Sequence, residues 1–313
     1  MTRRIAVTGA TGFLGQHLMT ALADEDAGVR VLARRELPPD LWPDAETVAG
    51  DLDRAAALEW LVAGCDAVVH GAGLTAAPDR NAFFRVNRDG TERIARIARD
   101  AAPDARFVLV SSLAARAPWL SDYAASKRAG EDAARAIYAD APDKLVIVRP
   151  PAIYGPGDLG TLAIFRAAQH PIVPVFGDGH IALVHVTDAA ASLARLAMGD
   201  GTAGLYALAD PNPGGYRMID ILGEAAGALQ NRPRFVRLPG MVLKAAGHLS
   251  GWWGRLHGRA PIFNAGKARE MLHPDWSVAP QELLPLPVYR ARIGIRQGFH
   301  DTVAWYLAEG WFA

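Results

Sequence analysis

Cysteine occurs once in 313 residues, at Cys65, which excludes an internal disulfide framework and fits a reducing compartment. Net charge is equally scarce, because 33 Lys and Arg offset 33 Asp and Glu. A nucleic-acid binder shows a basic excess in such totals, so nucleic acid is not an expected partner. Nine histidines are scattered without a His-Glu-x-x-His or paired Cys/His at zinc spacing, and no metal is expected. No apolar run reaches the roughly 18 residues that span a bilayer. Met1–Ile5 places two arginines ahead of apolar residues, but Thr8, Thr11, Gln16, His17 and three glycines interrupt what would be a signal core. A soluble, cytoplasmic protein is expected. Lysine is rare too: Lys127, Lys144, Lys244 and Lys267 stand against 29 arginines.

What is present is core-forming material, 50% hydrophobic, enough for one large domain or two joined ones. Short β-branched runs alternate with helical patterns through the first half, which predicts an α/β, doubly wound parallel sheet. Strands are expected at Arg4–Thr8, Val29–Ala33, Glu46–Ala49, Ala67–His70, Arg106–Ser111 and Leu145–Arg149. Helices are expected at Gly12–Asp24, Arg54–Ala63, Phe83–Ala101 and Asp122–Asp140. From Pro150 onward Pro and Gly crowd the chain and mark a smaller C-terminal subdomain. The expected division is a nucleotide-binding part over 1–157, rejoined by 178–200, and a substrate-binding part over 158–177 and 201–313.

The first strand runs into Gly9-Ala-Thr11-Gly12-Phe13-Leu14-Gly15 and then a helix. Glycines at this spacing let the backbone turn sharply and approach a pyrophosphate held at the helix N-terminus, so a dinucleotide cofactor is expected. After strand two, NAD enzymes place an acidic residue for the ribose hydroxyls. Here Arg34 and Arg35 follow instead, two guanidiniums suited to a 2′-phosphate, which favours NADP(H) with NAD as the alternative. Asp51 and Leu52, after strand three, are placed to meet the adenine edge.

Tyr123 and Lys127 lie four apart in a helical pattern, on one face. A nearby cation favours phenolate and brings a tyrosine toward working pH. Seven tyrosines and four lysines make that spacing uncommon by chance, and it occurs just past the fifth strand. That strand ends in Ser111-Ser112, hydroxyls suited to a substrate oxygen.

Taken in order, these segments resemble the extended short-chain dehydrogenases/reductases, the superfamily of NAD(P)-dependent epimerases and dehydratases. The resemblance runs over nearly the whole chain, through Thr8–Gly15, Gly50-Asp51-Leu52, Val69-His70-Gly71-Ala72, Val86-Asn87 to Thr91, Val110-Ser111-Ser112, Tyr123–Lys127 and Arg149-Pro150 to Pro156. Gly177–Gly179 and Val184–Asp188 fit its later part. It implies a Rossmann-type fold, with Tyr123 as general acid/base, Ser112 orienting the substrate oxygen, and Lys127 holding the nicotinamide ribose. It assigns Gly71, Ala72, Pro150 and Ile153, with the glycine loop, to the cofactor, and Thr75 and Tyr154 to substrate. Asn87 matches a family asparagine behind the site and reads equally as a helix-interior polar contact. His70 is expected to line the cofactor cleft through its backbone, and His185 to be structural.

Ser112 and Tyr123 are eleven residues apart, without the longer loop common in sugar-nucleotide epimerases, which favours a one-way reductase. Five of eight tryptophans fall after residue 250. Over Met241–Gly258, Met241, Val242, Ala245, Ala246, Leu249, Trp252, Trp253 and Leu256 share one helical arc of roughly 140°. Lys244, His248 and Arg255 line its edge, with Gly247, Gly251 and Gly254 on the back. That pattern suits an interfacial helix, a lid over a greasy substrate touched by Trp252 and Trp253, or a helix packed on its own subdomain or on a dimer mate. A looser similarity to bacterial sphingolipid-pathway reductases rests on Arg149–Asp158, Gly214-Gly215-Tyr216, Gly266–Trp276 and the tail around Val303–Tyr306 and Gly310-Trp311. It implies reduction of a long-chain 3-oxo ceramide or sphingoid ketone. Separately, a monomer or homodimer is expected, cytoplasmic or peripheral at the inner face of the membrane. The rivals are a nucleotide-sugar epimerase or dehydratase and an inert nucleotide-binding assembly subunit.

Overall fold

The computed structural model describes residues 2–35, 37–38, 40–256, 263–286 and 288–312, without the side chains of 252 and 254–256. The chain divides into two units. The first comprises residues 1–149, 190–206 and 284–289; the second comprises 150–189, 207–283 and 290–313. Residues 150–157 and 178–189, expected with the nucleotide-binding part, therefore cluster with the second unit. The cause is pairing: Ala152–Tyr154 runs parallel to Leu183–His185 in a sheet of its own.

The first unit is built on a seven-stranded sheet. β1 (Arg4–Thr8), β2 (Gly28–Ala33), β3 (Glu46–Ala49), β4 (Ala67–His70), β5 (Arg106–Val110) and β6 (Leu145–Arg149) are joined by the edge strand Gly204–Ala207. The spatial order is Gly204–Ala207, β6, β5, β4, β1, β2, β3. The pairs from β3 through β6 are parallel. Runs such as Ala67-Val-Val-His70 and Leu145-Val-Ile-Val-Arg149 are buried throughout, the pattern of strands covered by helices on both faces. β1 lies between β2 and β4, so the chain order reverses there. Ligands of open α/β sheets bind at the carboxyl ends of strands beside such a switch.

α1 (Phe13–Asp24) and α2 (Ala55–Val62) follow β1 and β3. The single helix expected over Phe83–Ala101 is instead three pieces: α3 (Arg80–Phe84), a π-helical turn over Arg85–Gly90, and α4 (Thr91–Ala101). The wider turn admits close neighbours: a Cβ on Gly90 would lie 2.7 Å from Leu52 Cδ1, and one on Gly130 would lie 2.3 Å from the Asn87 carbonyl oxygen. Gly130 belongs to α5 (Asp122–Ile137), capped by the Ser121 side chain, which accepts from Ala124 N–H at 2.9 Å.

The second unit has its own aromatic core. Tyr154, Phe165, Phe299, Tyr306 and Phe312 pack with Leu162, Ile221 and Val303. Three of the late tryptophans serve this unit. Trp276 is buried and donates its indole N–H to the Glu270 carbonyl at 2.8 Å, while Trp305 and Trp311 meet edge to face at 4.8 Å beside Tyr306. Helix Gly240–Leu256 packs on helix Ala265–Met271.

Candidate active site

The turn after β1 is shaped by what its glycines lack. Gly9 takes a left-handed φ of 80°, and a Cβ there would fall 2.6 Å from Ala72 N. A Cβ on Gly15 would fall 2.1 Å from the Gly9 carbonyl oxygen. Gly12 caps α1 without a side-chain hydrogen bond, and no acidic residue occupies the first turn. Backbone N–H groups therefore open toward the C-terminal end of the sheet, the arrangement that receives a phosphate. Thr11 is exposed on this turn, Phe13 and Leu14 are half-buried, and Gly15 is buried.

Arg34 and Arg35 are both exposed past the end of β2. Gly50 N–H donates to the Ala33 carbonyl at 2.9 Å, which brings the segment carrying Asp51 and Leu52 beside them. The Asp51 carboxylate accepts from Asp53 N–H at 2.9 Å, and the Leu52 carbonyl accepts from Arg93 at 2.6 Å.

The Ser111–Ser112 pair is divided by its environment. Ser111 is buried and donates to Glu131 at 2.5 Å. Glu131 also accepts two bonds from Arg149, at 2.7 and 2.6 Å. Ser112 is partly exposed; its oxygen accepts from Ala114 N–H at 3.2 Å, which leaves its O–H hydrogen to donate elsewhere. Tyr123 stands half-exposed in the first turn of α5, with its ring 6.1 Å from that of Phe83. Lys127 donates from Nζ to the Val110 carbonyl at 2.7 Å, two residues before Ser112. Burial lowers the Lys127 pKa to about 8, and the charge of Glu131 opposes that fall. One cation is thus drawn to the end of β5, where the serine and tyrosine elements converge.

The loop after β4 passes the same place. A Cβ on Gly73 would lie 3.1 Å from Asn87 Oδ1 and 3.7 Å from Lys127 Nζ. Asn87 is buried in the π-helical turn and clamps this loop. Its Oδ1 accepts from Leu74 N–H at 2.8 Å, and its Nδ2 donates to the Leu74 carbonyl at 3.0 Å and to Ser126 Oγ at 2.9 Å. Ser126 in turn donates to the Tyr123 carbonyl at 2.8 Å. A π-turn in a helix often marks a functional site, and here it aims one carboxamide at both the loop and α5. Gly71, Ala72 and Thr75 lie on that loop, with Gly71 and Thr75 exposed.

His70 does more than line a cleft with its backbone. Its ring is buried, with Nδ1 2.7 Å from Thr8 Oγ1 and Nε2 3.0 Å from Thr91 Oγ1. Thr91 donates to the Asn87 carbonyl at 2.8 Å, and Thr8 accepts from Ala72 N–H at 3.3 Å. Those two bonds fix the direction of the rest: Thr8 donates to Nδ1, and Nε2–H donates to Thr91. Burial first, and the Lys127 charge second, lower the His70 pKa to about 3 and keep the ring neutral. Thr8, Thr91 and Gly73 were not legible as site residues. The available signal was Gly130, a glycine inside a helix, which costs helix propensity and points to a close approach.

The remaining expected residues belong to the second unit. Pro150 is buried, and Ile153 is half-buried opposite Val184 in the short parallel pair. Tyr154, expected to touch substrate, is instead a core residue. It is fully buried, with its ring edge-on to Phe299 at 5.0 Å and to His185 at 5.4 Å. Gly298 leaves room for it, since a Cβ there would lie 2.6 Å from its hydroxyl oxygen. Trp253 is exposed on its helix, and the side chain of Trp252 lies outside the described residues. Residues 257 and 258 likewise lie outside them.

Comparison with known proteins adds two kinds of finding. The model of the NAD dependent epimerase/dehydratase family matches residues 5–203. Ceramide reductase of Caulobacter vibrioides (strain NA1000 / CB15N) is 46% identical over 314 residues, covering 98% of this chain and 95% of that protein. Among solved structures, gox2253 superposes with a TM-score of 0.78 at 22% identity, covering 100% of both chains. The dTDP-glucose 4,6-dehydratase of Bacillus anthracis str. Ames, in complex with NAD, gives 0.73 at 16% identity, covering 99% of each. The two structural likenesses establish the fold.

Proposed function

The chain belongs to the NAD dependent epimerase/dehydratase family and is an oxidoreductase, and from that premise we propose that it reduces a ketone on a long-chain, ceramide-like lipid with NADPH as donor. The observation that carries the substrate class is the 46% identity, over 98% of the chain, to a protein named Ceramide reductase.

The residues around the β1 turn fit a dinucleotide. A cradle that a Cβ at Gly9 or Gly15 would fill, and an uncapped helix start, match the size and charge of a diphosphate. Thr11, Gly12, Phe13 and Leu14 would hold it. Gly71, whose N–H donates to the Thr8 carbonyl, and Ala72, whose N–H donates to the Thr8 hydroxyl, would flank it, and Asp51 and Leu52 would meet its adenine. Pro150 and Ile153 are assigned to it by resemblance. Arg34 and Arg35, exposed where an NAD enzyme carries an acid, are assigned to a 2′-phosphate. When bound, the nicotinamide supplies a hydride to the carbonyl carbon.

The chain's own groups complete the reduction. Ser112 O–H donates to the carbonyl oxygen and holds it in place. Tyr123 gives its phenolic proton to that oxygen as negative charge builds there, and the carbonyl becomes a secondary alcohol. The Lys127 ammonium, held by the Val110 carbonyl, stabilises the phenolate left behind. Thr75, exposed on the clamped loop, is assigned to the substrate. A panel of long-chain ketones, short ketones and nucleotide sugars, followed by NADPH absorbance and by chromatography of the products, tests the reading. Consumption with the long-chain ketones is expected. Turnover of a nucleotide sugar without net NADPH loss would replace the reading by an epimerase, and inactivity throughout by an inert subunit.

A further inference from the structure

Helix Gly240–Leu256 is packed the opposite way round from its polarity. Its inward side is made of small residues: a Cβ on Gly247 would lie 2.9 Å from the Asn264 carbonyl oxygen and 3.0 Å from Ala268 Cβ. Leu243 is buried on that side, and Ser250 donates to the Phe263 carbonyl at 2.9 Å. The apolar arc faces outward. Met241 is 76% exposed, Leu249 64%, Trp253 59% and Val242 48%, with Ala245 and Ala246 exposed between them. A glycine face lets the two helices approach closely, and Met241, Val242 and Leu249 stay exposed on the other side.

Charge selects what covers it. Lys244 and His248 are exposed along one edge of the arc, and the helix holds no acidic residue. The gap is wider than the helix: from Ala225 to Arg269 the sequence has no Asp or Glu, while Arg232, Arg234, Arg237, Lys244, Arg255, Arg259, Lys267 and Arg269 fall within it. In a chain whose charges sum to zero, that is a long one-signed stretch. A second copy of this helix offers no acidic residue to meet Lys244. An anionic lipid surface meets both the apolar arc and the exposed Lys244.

We propose that this helix lies in the plane of an anionic phospholipid bilayer, with Met241, Val242 and Leu249 in the acyl boundary and Lys244 reaching the headgroups. No helix among the described residues is long and apolar enough to cross a membrane, so the contact is in-plane. At 17 residues the helix is about 25 Å long, sufficient for such a contact. The inference stands on the helix and not on the proposed substrate.

The test is flotation of the full chain with vesicles, with neither cofactor nor ketone present, so its outcome is independent of the lipid-ketone reading. Vesicles of phosphatidylcholine with about one-third phosphatidylglycerol should carry the protein up, and phosphatidylcholine alone should carry much less. Met241→Glu and Leu249→Glu should each weaken the anionic partitioning about tenfold or more, at an unchanged thermal midpoint. Failure of the unsubstituted protein to float, or flotation unaffected by both substitutions, would overturn the proposal. So would a concentration-dependent dimer in sedimentation that both substitutions abolish while flotation is absent, because a second copy would then occupy the face.

Discussion

Glu131 offers the sharpest perturbation, because it is fully buried and joins the fold to the site. Its carboxylate accepts from Ser111 at 2.5 Å, from Arg149 at 2.7 and 2.6 Å, and from Arg135 at 3.2 Å. Glu131→Gln keeps the shape and removes the charge, leaving the nearly buried Arg149 guanidinium without its counter-ion. Breaking one side of a buried ion pair costs about 3–5 kcal/mol. Scaled by the entropy of unfolding of a chain this long, that is a fall in Tm of about 5–8 °C by calorimetry. The substitution has a second consequence at Lys127. Burial holds its pKa down at about 8, and Glu131 is the charge that opposes burial. The protonated lysine is present below that pKa and is lost as pH rises through it. The alkaline limb of kcat is therefore expected near pH 8 in the parent enzyme. It should move to lower pH in the Glu131→Gln variant. A Tm within about 2 °C of the parent, or an alkaline limb that does not move, would refute the argument that this carboxylate serves both tasks.

Tyr123→Phe should cost about 10²–10⁴-fold in kcat while leaving cofactor binding by fluorescence titration nearly intact; substantial residual turnover would remove the proton-donor role. Arg34→Ala should raise KM for NADPH far more than for NADH, and equal losses would remove 2′-phosphate recognition. His70→Leu leaves Thr8 and Thr91 hydroxyls without their ring partner, a cost of about 1–3 kcal/mol each, and frees the loop at Ala72. Cofactor KM should therefore rise more than kcat falls, and a KM left at the parent value would reduce His70 to a core residue.

The central strands were legible nearly to the residue, because a strand buried on both faces must be a continuous apolar run between turn signals. Arg106–Val110 and Leu145–Arg149 have no other reading. The glycine loop was legible for a similar reason, since both the turn and the close backbone approach demand the same residue type. Periodicity failed where one residue was added. The π-turn at Arg85–Gly90 leaves the apolar rhythm on either side almost unchanged while rotating Asn87 toward Leu74 and Ser126. Directionality failed at Gly240–Leu256. The apolar arc was legible, but which side faces the protein depends on how closely Ala265–Met271 approaches, and the glycines determine that. Tyr154 lies in the core because its edge-on partner Phe299 comes from a segment far along the chain. Likewise Trp276, Trp305 and Trp311 spend their bulk on the second unit's own packing, so the late tryptophans were not one surface.

Transfer of deuterium from NADPH labelled at the nicotinamide C4 to a long-chain 3-oxo ceramide, read by mass spectrometry, tests the central claim most directly. The account predicts a secondary alcohol carrying one deuterium at the former carbonyl carbon, formed by the parent enzyme and not by Tyr123→Phe. Recovery of unlabelled ketone alongside turnover of a nucleotide sugar would contradict it.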